Sequence, residues 1–190
     1  MSQDENPYTG EILFVKELER LKCITRTAWT STGRQESTAE HSFRLALFLY
    51  VLKDHFPEVD CFRAVMMALV HDLGEAYDGD ISAALSPCSE MKSKREEKGI
   101  ARLVSSLPED VQKKIIDLFL EYDAGLTPEA RLVKALDKLE TIIQHNQGEN
   151  PEDFDYGFNL HYGKEYTDKD PITRAIRKLI DAETKRKGGL

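Results

Sequence analysis

The sequence predicts an all-α protein, a single domain over residues 1–190 built from about six to eight helices. Apolar residues recur at helical spacing along most of the chain, and helix start signals precede these segments. No stretch of useful length alternates polar and apolar residues as a half-buried strand does. The 190 residues suit one domain, and 41% hydrophobic residues are enough for a core.

The first half of the chain contains three predicted helices and one loop. Residues 11–21 carry apolar side chains near helical period, whereas residues 25–36 contain Thr, Ser and Gly and predict a loop. Ser37 and Glu40 form an S-x-x-E capping box before the apolar run 43–52, which predicts a helix start. Pro57 ends that helix, and Asp60 caps the next, predicted to run from Cys61 to about Tyr77.

The second half continues with helices separated by clear start signals. We expect a charged helix over roughly residues 89–106, and Pro108 opens another that reaches about residue 122. Thr127 and Pro128 start a helix that runs to about Gln147, and residues 150–169 are looser. Asp170 precedes the C-terminal helix, about 171–187, whose apolar stripe packs either on the core residues 11–145 or on a second copy of the chain; the stripe comprises Ile172, Ile176, Leu179 and Ile180.

Composition and charge limit the classes of partner. The chain has 26 Lys+Arg against 34 Asp+Glu, a net charge of −8, which disfavours a nucleic-acid polymer because such partners require a basic face. A small anionic substrate would need local positive charge from a metal or an arginine.

The cysteines and the apolar runs point to the cytoplasm. Cys23, Cys61 and Cys88 are widely spaced and include no C-x-x-C pair, which argues against a disulfide framework and a thiolate zinc site. The first residues are polar and acidic, unlike a signal peptide, and the longest strongly apolar run, residues 64–70, is too short to cross a bilayer. We therefore expect a cytoplasmic protein without a membrane partner.

The dipeptide His71-Asp72 lies in a strongly apolar segment. Glu75 follows four residues after His71, so on a helix the three polar side chains would share one region of the surface. A segment this hydrophobic should be buried, and burying Asp72 and Glu75 without partners would cost several kcal/mol each in rough terms. A cation should therefore meet them.

Two further polar residues interrupt apolar patterns. His41 stands on a stripe of its helix shared with apolar residues, and Asp137 falls among the leucines of a later helix. Two imidazoles and two carboxylates suit a divalent ion such as Mn²⁺, Co²⁺, Fe²⁺, Ni²⁺ or Zn²⁺, with positions open for water and substrate. Because no further close histidine pair occurs, we expect one ion, held by His41, His71, Asp72 and Asp137.

The order His41, His71-Asp72, Asp137 resembles the HD-domain superfamily of metal-dependent phosphohydrolases. Neighbouring segments are similar to its 5′-deoxynucleotidase branch, both bacterial YfbR-like and eukaryotic; they are Arg26-Thr27-Ala28-Trp29, Glu36-Ser37-Thr38-Ala39-Glu40-His41, His71-Asp72-Leu73-Gly74-Glu75, Gly79-Asp80-Ile81, Lys94-Arg95-Glu96-Glu97 and Leu132-Val133-Lys134-Ala135-Leu136-Asp137-Lys138. The resemblance covers roughly residues 11–145 and implies a helical HD-domain bundle.

This resemblance also implies an activity and a set of roles. The family hydrolyses deoxynucleoside 5′-monophosphates to deoxynucleoside and phosphate, and dimerisation is expected. By resemblance, the four residues above bind the metal, Glu75 is the catalytic acid/base, Arg26 binds the phosphate and Asp80 binds the sugar hydroxyl. Trp29 is a packing residue at the pocket rim or a platform for the base.

Several alternatives remain open at this stage. The protein could be an HD-type phosphodiesterase, a nucleoside polyphosphate hydrolase, or a non-catalytic helical binding module stabilised by metal. The basic residues Lys92, Lys94 and Arg95 form a solvated helix face or supply one cation to the substrate phosphate. Glu121 is expected at the surface, and no role is assigned to His55, His145 or His161.

Overall fold

A computed structural model describes residues 6–79 and 89–190. The prediction of an all-α fold is confirmed, since helices dominate this part of the chain. They are α1 (Thr9–Glu17), α2 (Arg20–Cys23), α3 (Thr38–Leu52), α4 (Cys61–Val70), α5 (Ser89–Leu103), α6 (Glu109–Ala124), α7 (Pro128–Gln147), α8 (Tyr156–Asn159), α9 (Lys164–Thr167) and α10 (Pro171–Gly188). Short 3₁₀ turns cover Lys53–His55 and Leu73–Ala76.

A β-hairpin occupies most of the segment predicted as a loop, so that prediction was wrong. Strand β1 (Thr25–Trp29) pairs antiparallel with β2 (Gln35–Ser37), with an irregular register between Thr25↔Ser37 and Trp29↔Gln35. Gly33 adopts φ 75° in the connecting turn, a conformation that favours glycine. Strands of three and five residues are too short to produce a recognisable polar and apolar alternation.

Helix α3 begins where the capping box predicts. The Ser37 hydroxyl accepts a hydrogen bond from the Glu40 backbone N–H at 3.3 Å, and the Glu40 carboxylate accepts one from the Ser37 N–H at 2.8 Å. This reciprocal pair satisfies two backbone donors that the helix itself leaves open. It fixes the first turn of α3, which carries His41.

Helix α4 starts at its predicted cap but ends earlier than expected. The Asp60 carboxylate accepts from the Arg63 N–H at 3.1 Å, as predicted. The predicted continuation to Tyr77 was wrong, because α4 ends at Val70 and the chain passes through a turn into the 3₁₀ segment Leu73–Ala76. Gly74 packs in this segment against the backbone of α5, a tertiary contact that a local pattern does not encode.

The remaining helices follow their start signals closely. The predicted helix 11–21 is divided into α1 and α2, and α5 ends at Leu103 instead of near residue 106. Thr127 caps α7, and Asp170 caps α10 through the N–H groups of Ile172 and Thr173. The looser stretch 150–169 contains the single-turn helices α8 and α9.

Helix α7 is the centre of the fold, because it contacts α3, α4, α6 and α10. The apolar core around it is formed by residues of these helices, among them Leu45, Met67, Val133, Leu136, Leu139 and Ile180. Among residues 6–79 and 89–190, the helices lack the combination of length and apolar character that crossing a bilayer requires.

Candidate metal centre and substrate pocket

The four predicted ligand side chains come from three different segments and converge inside the protein. His41 lies in the first turn of α3, His71 and Asp72 follow the end of α4, and Asp137 lies in the middle of α7. His41, His71 and Asp137 are buried, and the Asp72 side chain is 15% exposed.

Their ligating atoms lie close together. His41 Nε2 is 3.1 Å from Asp137 Oδ1 and 3.9 Å from Asp72 Oδ2. Asp72 Oδ2 is 3.1 Å from His71 Nε2. One ligand atom each from His41, His71 and Asp137 can be chosen so that all lie within 4.8 Å of one another. The arrangement is therefore compact enough for one cation to contact all four side chains.

In both His41 and His71, the Nδ1 nitrogen lies within hydrogen-bond distance of an acceptor. His71 Nδ1 lies 2.8 Å from the Ala68 carbonyl, and His41 Nδ1 lies 2.5 Å from Glu140 Oε2. Such partners favour the tautomer with a proton on Nδ1 and a lone pair on Nε2. Within the described part of the chain, the buried His71 Nε2 makes no hydrogen bond, because in this tautomer both it and the nearby Asp72 Oδ2 are acceptors. The donor set and this orphaned nitrogen both fit a divalent metal ion.

The electrostatics of the cluster also favour a cation. Burial alone would lower the pKa of His41, but the neighbouring carboxylates of Glu140 and Asp137 raise it to about 9. Burial alone would raise the pKa of Asp72 and Asp137. The charges of His71 and Arg26 lower the pKa of Asp72, and Lys138 and His41 lower that of Asp137. The carboxylates are therefore ionised at neutral pH.

Two side chains that the sequence reading gave no role hold the second oxygen of Asp137. Tyr122 donates its hydroxyl to Asp137 Oδ2 at 2.9 Å, and Lys138 Nζ lies 2.8 Å from the same atom. Burial and the charge of Asp137 raise the pKa of Tyr122, so its hydroxyl stays protonated. These contacts leave Oδ1 directed toward His41.

Glu75 lies in the 3₁₀ turn after Asp72 and is buried. Its carboxylate Oε2 accepts a hydrogen bond from the Thr38 hydroxyl at 3.4 Å. The sequence predicted that Glu75 lies close to His71 and Asp72 on one continuous helix. In the structure the 3₁₀ turn, and not a helix, places Glu75 beside the ligand cluster.

Arg26 on β1 reaches the cluster from the hairpin. Its Nη1 lies 3.2 Å from Asp72 Oδ2, its Nη2 lies 3.3 Å from Thr141 Oγ1, and its Nε lies 3.6 Å from Glu36 Oε2. Its side chain is only 12% exposed. Arg26 is therefore mostly buried at the ligand cluster and is not a surface residue.

The structure describes only one of the other two predicted substrate residues, Trp29. The Trp29 ring packs edge-to-face on Phe154, with centroids 6.4 Å apart, and Trp29 is absent from the described residues that line the cavity. Asp80 lies outside the described residues, as does Cys88.

A cavity of about 260 Å³ is lined by three of the four candidate ligands, His71, Asp72 and Asp137. Arg26, Glu75 and Lys92 line it together with residues that had no predicted role, including Lys134, Lys138, Phe158, Tyr162 and His145. Lys92 was one of the basic residues considered for the phosphate, whereas Arg95 lies 3.6 Å from Asp78. Glu121 contacts Arg63 and Thr127, away from the cavity.

Two buried carboxylates behind His41 were also missed. Glu36 on β2 and Glu140 on α7 are each 2% exposed. Burial, together with the charge of Glu140, raises the pKa of Glu36 to about 7. The spacing of Glu140, three residues after Asp137, was an available signal, because such residues lie on the same face of a helix.

Comparison with known proteins identifies the family of this chain. A model described as "HD domain" matches residues 18–177. The chain is 38% identical over 141 residues to the 5′-deoxynucleotidase HDDC2 of Bos taurus and 37% identical over 141 residues to that of Homo sapiens. Both alignments cover 73% of this chain and 68% of the relative.

A solved structure is also similar over nearly the whole chain. A protein of Magnetospirillum magnetotacticum MS-1, described as a predicted metal-dependent phosphohydrolase, superimposes with a TM-score of 0.78. It is 28% identical, and the match covers 95% of this chain and 96% of that one. The chain therefore belongs to the HD domain family.

Proposed function

We propose that this chain is a metal-dependent phosphomonoesterase that hydrolyses deoxynucleoside 5′-monophosphates to nucleoside and phosphate. In this proposal His41, His71, Asp72 and Asp137 hold one divalent ion (Mn²⁺, Co²⁺, Fe²⁺, Ni²⁺ or Zn²⁺). Glu75 is the catalytic acid/base, Arg26 and Asp80 bind the phosphate and the sugar hydroxyl, and Trp29 contributes to the pocket rim. Relatives named 5′-deoxynucleotidase support the choice of substrate.

One observation carries the proposal. The Nε2 atom of His41 lies within 3.9 Å of carboxylate oxygens from both Asp72 and Asp137, next to the orphaned Nε2 of His71. Three segments distant in sequence thus bring borderline and hard ligands to one point inside an apolar core. A set of two imidazoles and two carboxylates leaves positions open for substrate and water.

The chemistry follows from the positions of the side chains. Water attacks phosphorus, and the bond from phosphorus to the 5′-oxygen breaks. Glu75 accepts the proton of the attacking water and delivers it to the leaving 5′-oxygen. Arg26 presents its guanidinium to two phosphate oxygens. It thereby supplies the local positive charge that a protein with a net charge of −8 needs in order to bind an anion. A divalent ion, when bound, acidifies water and neutralises phosphate charge.

Release of inorganic phosphate from a panel of mononucleotides tests this function. With Mn²⁺ or Co²⁺ we expect release from dAMP, dGMP, dCMP, dTMP or dUMP, which EDTA and Asp72→Ala each abolish. Asp153→Ala, which removes an exposed carboxylate, should retain full activity. Turnover confined to cyclic dinucleotides or triphosphates would indicate the alternative phosphodiesterase or polyphosphate hydrolase. Bound metal without any turnover would indicate a non-catalytic module.

The role of Glu75 is tested separately from metal binding. Glu75→Ala should retain the metal and lose rate by a factor on the order of 10² to 10⁴. Metal content by elemental analysis distinguishes the roles, because loss of the ion in this variant would make Glu75 a ligand.

The organisation of the protein is also part of the proposal. We infer a single HD domain over residues 1–190 and a homodimer, which the family resemblance supports, and a location in the cytoplasm, which the widely spaced cysteines support. Sedimentation equilibrium of the purified chain tests the assembly, and a monomer at all concentrations would contradict it.

A further inference from the structure

We propose that Glu140 and Glu36 are positioning residues of this site, joined to each other by Arg44. Glu140 holds the imidazole of His41 for the metal, and Glu36 holds the guanidinium of Arg26 for the phosphate. The inference rests on the proposed function but is tested without turnover.

Glu140 supports His41 from the side away from the ligand cluster. Its Oε2 lies 2.5 Å from His41 Nδ1, and both side chains are at most 2% exposed. Carboxylates in this position orient a metal-binding imidazole, fix its tautomer and make it a stronger ligand. Because Glu140 follows Asp137 by three residues on α7, one helix face supplies both a candidate ligand and the support of another.

Arg44 links the two buried carboxylates. Its Nε lies 3.2 Å from Glu140 Oε1, and its Nη1 lies 3.9 Å from Glu36 Oε1. Arg44 follows His41 by three residues on α3 and is one-third exposed. Its positive charge lies between two carboxylates that would otherwise repel each other in a medium of low dielectric constant.

Glu36 completes the connection to the phosphate side of the site. Its Oε2 lies 3.6 Å from Arg26 Nε, while Arg26 Nη1 lies 3.2 Å from Asp72 Oδ2. Charges therefore alternate from Glu140 through Arg44, Glu36 and Arg26 to Asp72. One end of this series, Glu140, supports the candidate imidazole ligand His41, and the other end, Asp72, is itself a candidate carboxylate ligand.

A purely stabilising role is the competing explanation. Buried ion pairs contribute little net stability, because the cost of removing both charges from water offsets their attraction. Apolar side chains of similar volume would serve the core equally well. A positioning role predicts instead that Glu140 affects the binding of the metal ion and that Glu36 affects the binding of phosphate.

Two matched variants test this division of roles. Mn²⁺ and inorganic phosphate are the probes, measured by titration calorimetry at about pH 8, where Glu36 is mostly ionised. Glu140→Gln should weaken Mn²⁺ binding by about 10- to 100-fold, with phosphate binding at saturating Mn²⁺ changed less than about threefold. Glu36→Gln should show the reverse pattern, with phosphate weakened about tenfold and Mn²⁺ changed less than about threefold.

Glu149→Gln is the control, because it removes an exposed carboxylate just beyond α7, and it should change neither constant. Unchanged Mn²⁺ binding in Glu140→Gln, or equal weakening of both probes in Glu36→Gln, overturns the proposal. If Glu140→Gln does not fold, Glu140→Asp replaces it, and an unchanged Mn²⁺ constant there has the same meaning.

Neither readout depends on catalysis, so the two proposals fail separately. A protein that shows the crossed pattern but hydrolyses no mononucleotide contradicts the proposed function alone. Failure of the unaltered, Mn²⁺-loaded protein to bind phosphate overturns the role assigned to Glu36.

Discussion

The backbone oxygen of Gly74 lies so close to Gly99 that a Cβ on Gly99 would come within 2.1 Å of it. In the opposite direction, a Cβ on Gly74 would lie 2.7 Å from the backbone oxygen of Glu96. Rotation of a side chain cannot relieve contacts made by backbone atoms. Helix α5 therefore packs directly on the turn that carries Glu75, and its distance from that turn is set by two glycines.

Gly99→Ala should force α5 away from this turn. We expect the free energy of unfolding to fall by about 1 to 3 kcal/mol, since added volume in a packed interior forces backbone shifts. Nucleotidase activity should fall as well, because the turn places Glu75. Urea denaturation measures the stability change. Lys98→Ala, an exposed change on the same helix, should stay within about 0.5 kcal/mol, and equal stability of both variants would contradict the packing argument.

Arg177→Met should be strongly destabilising. Arg177 is 2% exposed, and its guanidinium donates to the carbonyls of Tyr162 and Asn159 and to the Asp181 carboxylate. Its removal leaves these acceptors without a donor, and we expect a loss of about 3 kcal/mol in the free energy of unfolding.

Equilibrium unfolding in urea checks this value, with the exposed Arg186→Met on the same helix as control. A loss below about 1 kcal/mol would mean that water replaces the missing donors. Because Tyr162 lines the cavity, the variant should also weaken phosphate binding.

Glu40→Gln should reduce the sensitivity of the protein to acid. Hydrogen bonds from Arg34 are the main cause that lowers the pKa of Glu40 from 4.5 to about 2. Between pH 4.5 and pH 2 the unfolded chain therefore binds more protons at this residue than the folded chain does. The stabilisation contributed by ionised Glu40 is complete above pH 4.5 and is lost as the pH falls toward 2. The urea midpoint should fall less between about pH 5 and about pH 3 in the variant than in the unaltered protein.

The exposed Glu165→Gln serves as the matched control and should leave the acid response unchanged. An acid response of Glu40→Gln identical to that of the unaltered protein would show that the contacts of Glu40 with Arg34 and Ser37 are not responsible.

Tyr122→Phe should weaken metal binding only modestly. The hydroxyl donates to Asp137 Oδ2, which Lys138 also contacts, so one of two partners remains. A hydrogen bond to an ionised carboxylate corresponds to roughly 1.5 to 3 kcal/mol, but Lys138 retains part of this stabilisation, so we expect the Mn²⁺ dissociation constant to rise by no more than about tenfold in calorimetry. The exposed Tyr50→Phe should have no effect. A loss of binding as complete as in Asp137→Ala would make Tyr122 part of the ligand set.

Helix starts were predictable because their causes are local. Ser37, Asp60, Thr127 and Asp170 each accept a backbone N–H within three residues of their own position. The side chain and the donor are neighbours in the sequence, so the pattern of letters contains the whole interaction. The early end of α4 is different in kind, because the turn that follows packs on α5, more than twenty residues further along the chain.

The site divides in the same way. The candidates His41, His71, Asp72 and Asp137 stood out because charged or titratable groups in apolar segments require partners. Nothing local marks Tyr122 or Glu36 as neighbours of those residues, since they reach the cluster from α6 and β2. The contact of Trp29 with Phe154 is of the same kind, because the two residues are far apart in the sequence and no local pattern pairs them.

The sequence alone determined the helical class, the starts of the helices and the identity of the residues that need a cation. Hydrophobic periodicity and capping depend on residues close together in the sequence, and the cost of burying a charge depends on the residue itself. Only the tertiary structure decided which other side chains contact and orient these residues. Those partners are chosen by the packing of α3, α5, α6 and α7 and of the hairpin, and packing distances between remote segments are not encoded in any local pattern.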